Sequence, residues 1–147
     1  MPRLDDISDD QIDYYLKKYK LYRGSFDCLE LPKMKIQKGI YIVNIDRDPH
    51  GNGTHWTMVC NLEPKRIIYF DPFGQVPNTE TLDFMEKANK PTFFNTTDYQ
   101  AINAKSCGYF CILLAIQLLK GKRYEQAIKV FSNSVTENEK ILYDYFK

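Results

Sequence analysis

The sequence predicts an α+β fold in which an antiparallel sheet core is flanked by helices. The prediction depends on three observations: a helical pattern near the N-terminus, a run of short strand patterns in the middle of the chain, and helical patterns again from residue 107. Helices and strands that are segregated along the chain are typical of α+β proteins, whereas doubly wound sheets alternate the two. A chain of 147 residues without repeats or linkers has the size of one domain, so residues 1–147 are expected to form a single domain.

The first predicted helix covers residues 8–22. Ser8 and Gln11 have the spacing of a capping box, in which each side chain accepts a hydrogen bond from the other residue's backbone N–H. Apolar side chains then recur at helical spacing from Ile12 onwards, which favours one buried face. Residues 23–38 contain a glycine and a proline and predict an irregular segment.

Segments rich in β-branched and aromatic residues predict strands at residues 39–45, 55–62 and 65–70. Glu63-Pro64 separates the second strand from the third and suits the turn of a hairpin. A further short strand is expected at residues 92–95. Because the strands follow one another directly in sequence, antiparallel pairing is expected.

Helical patterns dominate the second half of the chain. Helices are predicted at residues 79–88, along the apolar run from Cys107 to a stop at Gly121, at residues 124–131 and at residues 135–146. Thr136 and Glu139 have the spacing of a second capping box, at the start of the last helix.

The charge balance narrows the classes of function. Twenty Lys and Arg against nineteen Asp and Glu leave a net charge of +1, which excludes a strongly basic nucleic-acid binder. A local basic cluster remains, formed by Lys17, Lys18, Lys20 and Arg23. We expect this cluster to be the solvated face of a helix, and nucleic-acid contact stays an unfavoured alternative. No signal-peptide pattern, membrane-length apolar segment or disulfide spacing is present, so we expect a reduced intracellular protein, neither secreted nor membrane-bound.

A histidine and an aspartate are expected to meet at one end of the sheet. His55 begins the second predicted strand after a polar, glycine-rich loop at residues 47–54, and Asp71 follows the third strand. An aspartate beside an imidazole fixes its tautomer and leaves the second ring nitrogen free to act as a base. The alternative is that Asp71-Pro72-Phe73-Gly74 is only a turn and His55 only a surface histidine.

A cysteine begins the longest apolar helix. The helix dipole and unpaired backbone N–H groups at that position favour the nucleophilic thiolate of Cys107, and Gly108 permits close approach of a substrate carbonyl. Gln100, seven residues before Cys107, carries an NH₂ group that can donate to an oxyanion. The alternatives are a buried structural cysteine and a solvated loop glutamine.

Taken together, these segments resemble a known protease family. GTHW, YFDPFG and Q-x6-CGYFC are similar to motifs of the adenain family, the adenovirus-type cysteine proteases, and more distantly to the SUMO- and ubiquitin-like-protein-specific proteases. The stretch LPKMKIQKGIYIVNIDRD resembles the approach to the catalytic histidine in proteases of virophages, giant viruses and virus-like DNA transposons. The resemblance covers about residues 26–119 and implies the adenain-like cysteine protease fold.

The resemblance also implies a role for each candidate residue. The expected enzyme is a cysteine endopeptidase in which His55 is the general base and Asp71 orients it. Cys107 attacks the scissile carbonyl, forming an acyl-enzyme. Gln100 and the Cys107 backbone N–H form the oxyanion hole. No cofactor and no metal are expected.

Substrate expectations follow from the same resemblance. Proteases of this kind cleave after glycine. Trp56, the only tryptophan, follows the expected base His55, and its indole is expected to line a narrow slot that only glycine can enter; Gly108 is expected to contribute to substrate binding as well. The expected function is maturation of a virion by cleavage of capsid or core precursors, inside the virion and the infected host cell, by a monomer. The alternative within the same fold is an isopeptidase that acts on a ubiquitin-like modifier.

A zinc-binding structural module is the non-enzymatic alternative. His50 and His55 are five residues apart, and Cys107 and Cys111 are four apart on a predicted helix, which can place both thiolates on one face. The sequence lacks the usual zinc-knuckle spacing, and this alternative leaves Asp71 and Gln100 without a role. Catalysis is therefore favoured, with Cys111 and Cys60 expected in the core.

Overall fold

Five strands form one sheet in the computed structural model of this chain, which describes residues 4–46, 55–101 and 104–147. The strands lie side by side in chain order: Tyr22–Asp27 (β1), Gly39–Asn44 (β2), Trp56–Asn61 (β3), Ile67–Phe70 (β4) and Thr92–Phe94 (β5). The α-helices are Asp9–Leu16 (α1), Thr79–Glu86 (α2), Cys107–Leu119 (α3), Tyr124–Ala127 (α4) and Val135–Phe146 (α5). Short 3₁₀ helices occur at Leu31–Lys33 and Ile128–Val130. The α+β class is confirmed.

The sheet is mixed rather than purely antiparallel. The three central strands pair antiparallel, as predicted, but β1 pairs with β2 in parallel and so does β5 with β4. The reason lies in the connections, since Leu31–Lys33 lies between β1 and β2 and α2 lies between β4 and β5. A connection that returns the chain to the starting end of the sheet makes the next strand parallel.

The prediction of an irregular segment at residues 23–38 is wrong in its first part, where β1 forms. This strand lies at the edge of the sheet, its side chains are half-buried or exposed, and its register shifts between Tyr22 and Gly24. A polar edge strand with an irregular register lacks the alternating apolar pattern that identifies a strand in sequence. The register shift occurs where Gly24 adopts a φ of +127°.

The first helix is shorter than predicted. The capping box is confirmed, because Ser8 and Gln11 exchange both hydrogen bonds, but α1 ends at Leu16 instead of continuing to residue 22. After Leu16, successive turns carry the chain directly into β1. The apolar face of the helix is supplied by Ile12 and Leu16, both fully buried, with the partly buried Tyr15 packed beside them.

The predicted capping box of the last helix is wrong. Ser134 caps α5, accepting a hydrogen bond from the Glu137 backbone N–H at 3.2 Å, and the helix starts at Val135. Thr136 therefore lies inside the first turn. Glu139 points into the protein instead, where it is 1% exposed and contacts Ser106. The sequence has the capping-box pattern at Thr136 and Glu139, but Ser134, two residues earlier, takes the N-cap position instead.

Helices cover both faces of the sheet. Side chains of β2, β3 and β4 alternate between two apolar clusters, which explains the nearly continuous apolar runs of these strands. One cluster lies between the sheet and α1, α3, α4 and α5, and the other between the sheet and α2. Cys60 and Cys111 belong to the first cluster, as predicted.

The basic cluster lies on the surface. Lys17, Lys18, Lys20 and Arg23 are all exposed, so the cluster is solvated as expected. It is not the face of a helix, however, because α1 ends at Leu16 and Arg23 lies in β1. The Arg23 side chain donates to the Lys38 carbonyl oxygen at 2.7 Å.

The predicted glycine-rich loop at residues 47–54 lies outside the described residues. Within the described ranges, the chain has no helix with the length and apolar character that a membrane span requires.

Packing of α1 against the sheet is expected to be essential for stability. Ile12 is fully buried in the first cluster, so Ile12→Ala should lower the free energy of unfolding by about 2–5 kcal/mol. Tyr14, on the same helix, is 72% exposed, so Tyr14→Ala should change it by less than about 0.5 kcal/mol. Denaturant unfolding of both variants measures this difference. Equal losses would show that α1 does not pack as described.

Candidate active site

A tight turn after β4 carries Asp71. The Gly74 backbone N–H donates to the Asp71 carbonyl oxygen, and the Phe73 backbone N–H donates to Asp71 Oδ1, both at 2.8 Å. Gly74 has a φ of +75°, and a side chain there would meet the Thr96 carbonyl oxygen at 2.7 Å. The turn considered as an alternative explanation is therefore present, and it also orients the carboxylate.

The Asp71 carboxylate is fully buried and faces His55. His55 Nε2 lies 2.7 Å from Asp71 Oδ1, which confirms that the β3–β4 hairpin brings the two residues together. Asp71 Oδ2 is also buried and has no hydrogen-bond partner among the residues that the structure describes. Asn95 holds the Asp71 backbone, accepting from its N–H at 3.0 Å and donating to its carbonyl oxygen at 2.7 Å.

The imidazole of His55 is held in a single orientation. Nε2 faces Asp71, which leaves Nδ1 as the ring nitrogen available to the Cys107 sulfur. The Phe73 ring stacks on the imidazole with centroids 5.0 Å apart. Burial lowers the pKa of His55, but hydrogen bonds to Asp71 and Cys107 outweigh that effect and raise the pKa to about 9. The ring is therefore an imidazolium at neutral pH.

Cys107 is the first residue of α3, as predicted. Its Sγ accepts a hydrogen bond from the Trp56 backbone N–H at 3.3 Å, and only 3% of the residue is exposed. A helix N-terminus and a nearby imidazole are the surroundings in which reactive cysteines occur in proteins. One turn further, the Cys111 thiol donates to the Trp56 carbonyl oxygen at 3.4 Å, and burial raises the pKa of Cys111 so that it stays protonated. The role of Cys107 as a nucleophile remains a prediction.

Ile7 occupies the space beside Gly108. A Cβ added at Gly108 would clash with Ile7 Cγ2 and would lie 3.0 Å from Trp56 Cδ1. The Trp56 indole N–H donates to the Ile7 carbonyl oxygen at 3.0 Å, and Trp56 is 5% exposed. The close packing of Ile7 therefore explains why position 108 carries a glycine. A role of Trp56 and Gly108 in substrate binding remains a prediction.

Gln100 is buried at the start of the segment that leads to Cys107. Its backbone N–H donates to the Pro72 carbonyl oxygen at 3.1 Å, which ties it to the turn of Asp71. Its side-chain Nε2 donates to the Ala104 carbonyl oxygen at 2.8 Å. An amide NH₂ has a second proton to donate, and the role of Gln100 in the oxyanion hole remains a prediction.

The comparisons with known proteins give a clear result only at the level of the fold. The sequence matches no protein-family model and no curated protein. The structure matches the viral pS273R protease of ASFV with a TM-score of 0.66 and 14% identity, over 92% of this chain and 64% of that one. It also matches the Ulp1 protease domain, solved in complex with the yeast SUMO ortholog Smt3, with a TM-score of 0.50 and 18% identity. That match covers 97% of this chain and 79% of the Ulp1 domain.

This chain has the adenain/Ulp1-like cysteine protease fold. A third structure with this arrangement is the central domain of the Lpg1148 protein of Legionella pneumophila, with a TM-score of 0.53 and 16% identity. That match covers 94% of this chain and 92% of the Lpg1148 domain. The chain spans 64% of the length of the pS273R protein, so it corresponds to only part of that larger protease chain.

The zinc alternative has no support in the described parts of this protease fold. No group of three or more His, Cys, Asp or Glu side chains there is arranged to hold a metal ion. His50, which that alternative requires, lies outside the described residues. Cys107 and Cys111 instead bond to the backbone of one residue, Trp56: Cys107 accepts from its N–H and Cys111 donates to its carbonyl oxygen.

Sequence reasoning missed several residues that support the site. Asn95, Phe73 and Ile7 each contact a candidate catalytic residue or its neighbour. Asn95 and Ile7 come from segments without any motif of their own, so their contacts depend on the tertiary fold. The signal closest to a prediction was YFDPFG, which contains Phe73 beside the aspartate.

Asp71→Asn should lower the pKa of His55. Among the interactions that raise this pKa to about 9, the hydrogen bond to Asp71 is the largest, and asparagine lacks the charge that stabilises the imidazolium. NMR titration of the imidazole measures the change directly.

The raised pKa also predicts that His55 stabilises the fold below its ordinary pKa of 6.5 and that this contribution disappears as the pH rises towards 9. A His55 pKa near 6.5 in the unmodified protein would contradict the described geometry.

Gly108→Ala should destabilise the protein although alanine is ordinarily the better helix former. The new methyl group meets Ile7 Cγ2, and such overpacking typically costs about 1–3 kcal/mol. Ile7→Ala removes that methyl, so the double variant should lose less stability than the sum of the single variants. Thermal or denaturant unfolding of the three variants measures the coupling. Strictly additive losses would mean that Ile7 does not account for the glycine.

Proposed function

We propose that this protein is a cysteine endopeptidase with Cys107 as nucleophile, His55 as acid and base, and Asp71 as the residue that orients His55. One observation carries the proposal: the His55 ring lies between the buried carboxylate of Asp71 and the sulfur of Cys107 at the start of α3. Nucleophile, base and orienting acid in this order are the arrangement that acyl transfer requires.

The first chemical step forms a bond between the Cys107 sulfur and the scissile carbonyl carbon. In our proposal Cys107 and His55 act as a thiolate–imidazolium pair, so that no proton has to be removed during the attack, and the raised pKa of His55 supports this pairing. The carbonyl π electrons move to oxygen and give a tetrahedral oxyanion. In our proposal the second N–H of the Gln100 amide and the Cys107 backbone N–H stabilise that oxyanion.

The imidazolium then supplies the proton that the leaving group needs. As the tetrahedral intermediate collapses, the C–N bond breaks and His55 Nδ1–H protonates the departing amine, leaving a thioester on Cys107. Water attacks the thioester and neutral His55 takes its proton. The acid product leaves, and the thiolate–imidazolium pair is regenerated, so the net reaction is hydrolysis of one peptide bond.

The proposed substrates are capsid or core precursor proteins cleaved after glycine during virion maturation, with the enzyme acting in the virion and the infected host cell. Two observations support this choice. The motifs around His55 and Cys107 resemble those of adenain-like viral proteases. Of the solved structures described above, the viral pS273R protease has the highest TM-score, 0.66.

Deconjugation of a ubiquitin-like modifier is the second candidate. The observation in its favour is the match to the Ulp1 domain, which was solved in complex with Smt3, the yeast SUMO ortholog. Purified enzyme offered both a peptide library with Gly-X-Gly sites and modifier precursors ending in Gly-Gly distinguishes the candidates. Cleavage of the internal sites in the library favours the virion protease, and selective cleavage of intact modifiers favours the deconjugase.

Cys107→Ala should abolish cleavage of every substrate and leave folding intact, because it removes only the nucleophilic sulfur. Cys28→Ala is the matched control, since Cys28 is also a buried free thiol but lies in the second apolar cluster, on the other face of the sheet. It should retain cleavage. Products are identified by mass spectrometry, and activity that survives in Cys107→Ala would exclude the mechanism.

Gln100→Ala should reduce kcat by about 10²–10³-fold, the usual effect of removing one oxyanion donor. KM should change little, because the donation strengthens only as the oxyanion develops. Steady-state kinetics on a cleaved glycine peptide provide both constants. If kcat stays within a factor of about three, Gln100 has only a structural role through its contact with Ala104.

A further inference from the structure

We infer that Asn138 and Glu139 on α5 are positioning residues for the oxyanion hole, because they hold the two ends of the segment between Gln100 and Cys107. The inference rests on the proposed function and extends it to the last helix of the chain. That helix lies outside the part of the sequence in which the motifs occur.

Asn138 holds the first end of the segment. Its Nδ2 donates to the Tyr99 carbonyl oxygen at 3.1 Å, directly before Gln100. The same side-chain amide makes two hydrogen bonds to the Ser132 backbone. Its Oδ1 accepts from the Ser132 N–H at 2.7 Å, and its Nδ2 donates to the Ser132 carbonyl oxygen at 2.9 Å. Asn138 is fully buried and satisfied on both polar atoms, so its orientation is fixed.

Glu139 holds the second end. The Ser106 hydroxyl lies 2.8 Å from both carboxylate oxygens of Glu139, directly before Cys107. Ser106 is fully buried and Glu139 is 1% exposed. A buried carboxylate demands hydrogen-bond donors, and a hydrogen bond to a charged group is stronger than one between neutral groups. Ser106 is the N-cap residue directly before α3, but its side chain makes no capping hydrogen bond to the helix.

Consecutive residues of one helix therefore hold both ends of the segment. Because the backbone of a helix is stiff, the separation of Tyr99 and Ser106 is tied to the spacing of two neighbouring residues on α5. The turn of Asp71 supplies a further tie, since the Pro72 carbonyl oxygen accepts from both the Tyr99 and the Gln100 backbone N–H. This geometry sets the Gln100 amide relative to the Cys107 backbone N–H.

The inferred role concerns the oxyanion and not the thiol. Cys107 is held from the other side, by the Trp56 backbone N–H and by the His55 ring. Loss of the Ser106–Glu139 contact should therefore impair steps that pass through a tetrahedral oxyanion and spare those that need only the thiolate. A small displacement of a positioned group is enough for a large loss of rate.

The test compares Ser106→Ala and Glu139→Ala with Glu139→Gln, which retains an acceptor for the hydroxyl. Lys140→Ala is the matched control, because Lys140 is the next residue of α5 and is exposed. Three readouts are measured on the full chain: kcat and KM on a glycine peptide, inhibition by a peptide aldehyde, and the rate of Cys107 alkylation by iodoacetamide. The aldehyde forms a tetrahedral adduct with an oxyanion, whereas alkylation forms none.

We expect Ser106→Ala and Glu139→Ala to lower kcat by about 10- to 100-fold with KM nearly unchanged. Aldehyde inhibition should weaken by a similar factor, and alkylation should stay within about twofold of the unmodified protein. Glu139→Gln and Lys140→Ala should remain close to the unmodified protein in all three. If Glu139→Ala does not fold, Ser106→Ala, which removes a single hydroxyl, decides the question.

Two results would overturn the inference while the proposed function stands: unchanged kcat in Ser106→Ala, or alkylation that falls in parallel with kcat. The second result would mean that the whole site is disturbed. If the unmodified protein neither cleaves any peptide nor binds the aldehyde, the proposed function fails and the inference fails with it.

Discussion

The buried carboxylate of Asp71 is the constraint on which the rest of the site depends. Removing a charge from water is costly unless a partner of opposite charge and hydrogen-bond donors compensate it. The Phe73 backbone N–H supplies one donor to Asp71, and the His55 ring supplies the second at 2.7 Å. A protonated ring satisfies the carboxylate better than a neutral one, so the hydrogen bond to Asp71 raises the pKa of His55 and favours its imidazolium form.

The layered fold brings these groups together from separate elements. The antiparallel β3–β4 hairpin supplies the histidine and the aspartate from neighbouring strands. Helix α3 packs on the sheet and presents Cys107 to the Trp56 backbone N–H, while the Trp56 carbonyl oxygen accepts from Cys111 one turn later. The two cysteines thus align the start of α3 with the start of β3. Each group is held by backbone contacts on a packed scaffold, which is the arrangement that precise chemistry needs.

Much of the site could be predicted from the sequence because it depends on local features. Hairpin periodicity places His55 beside Asp71, and a cysteine at the start of an apolar run places Cys107 at a helix N-terminus. The edge strand β1 could not be predicted, since polar, half-buried residues show no alternation. Asn95 and Glu139 could not be assigned either. Their buried polar side chains act across 24 and 33 residues of sequence, and no local pattern records such contacts.

Alkylation of the individual cysteines by iodoacetamide at pH 6 tests the thiolate–imidazolium pair most directly. All four cysteines are described by the structure as buried and outside any disulfide, so exposure alone gives none of them a large advantage. The account predicts that Cys107 reacts well ahead of Cys28, Cys60 and Cys111, and that His55→Ala removes its lead. Equal reactivity of the four thiols, or a lead of Cys107 that persists in His55→Ala, would contradict it.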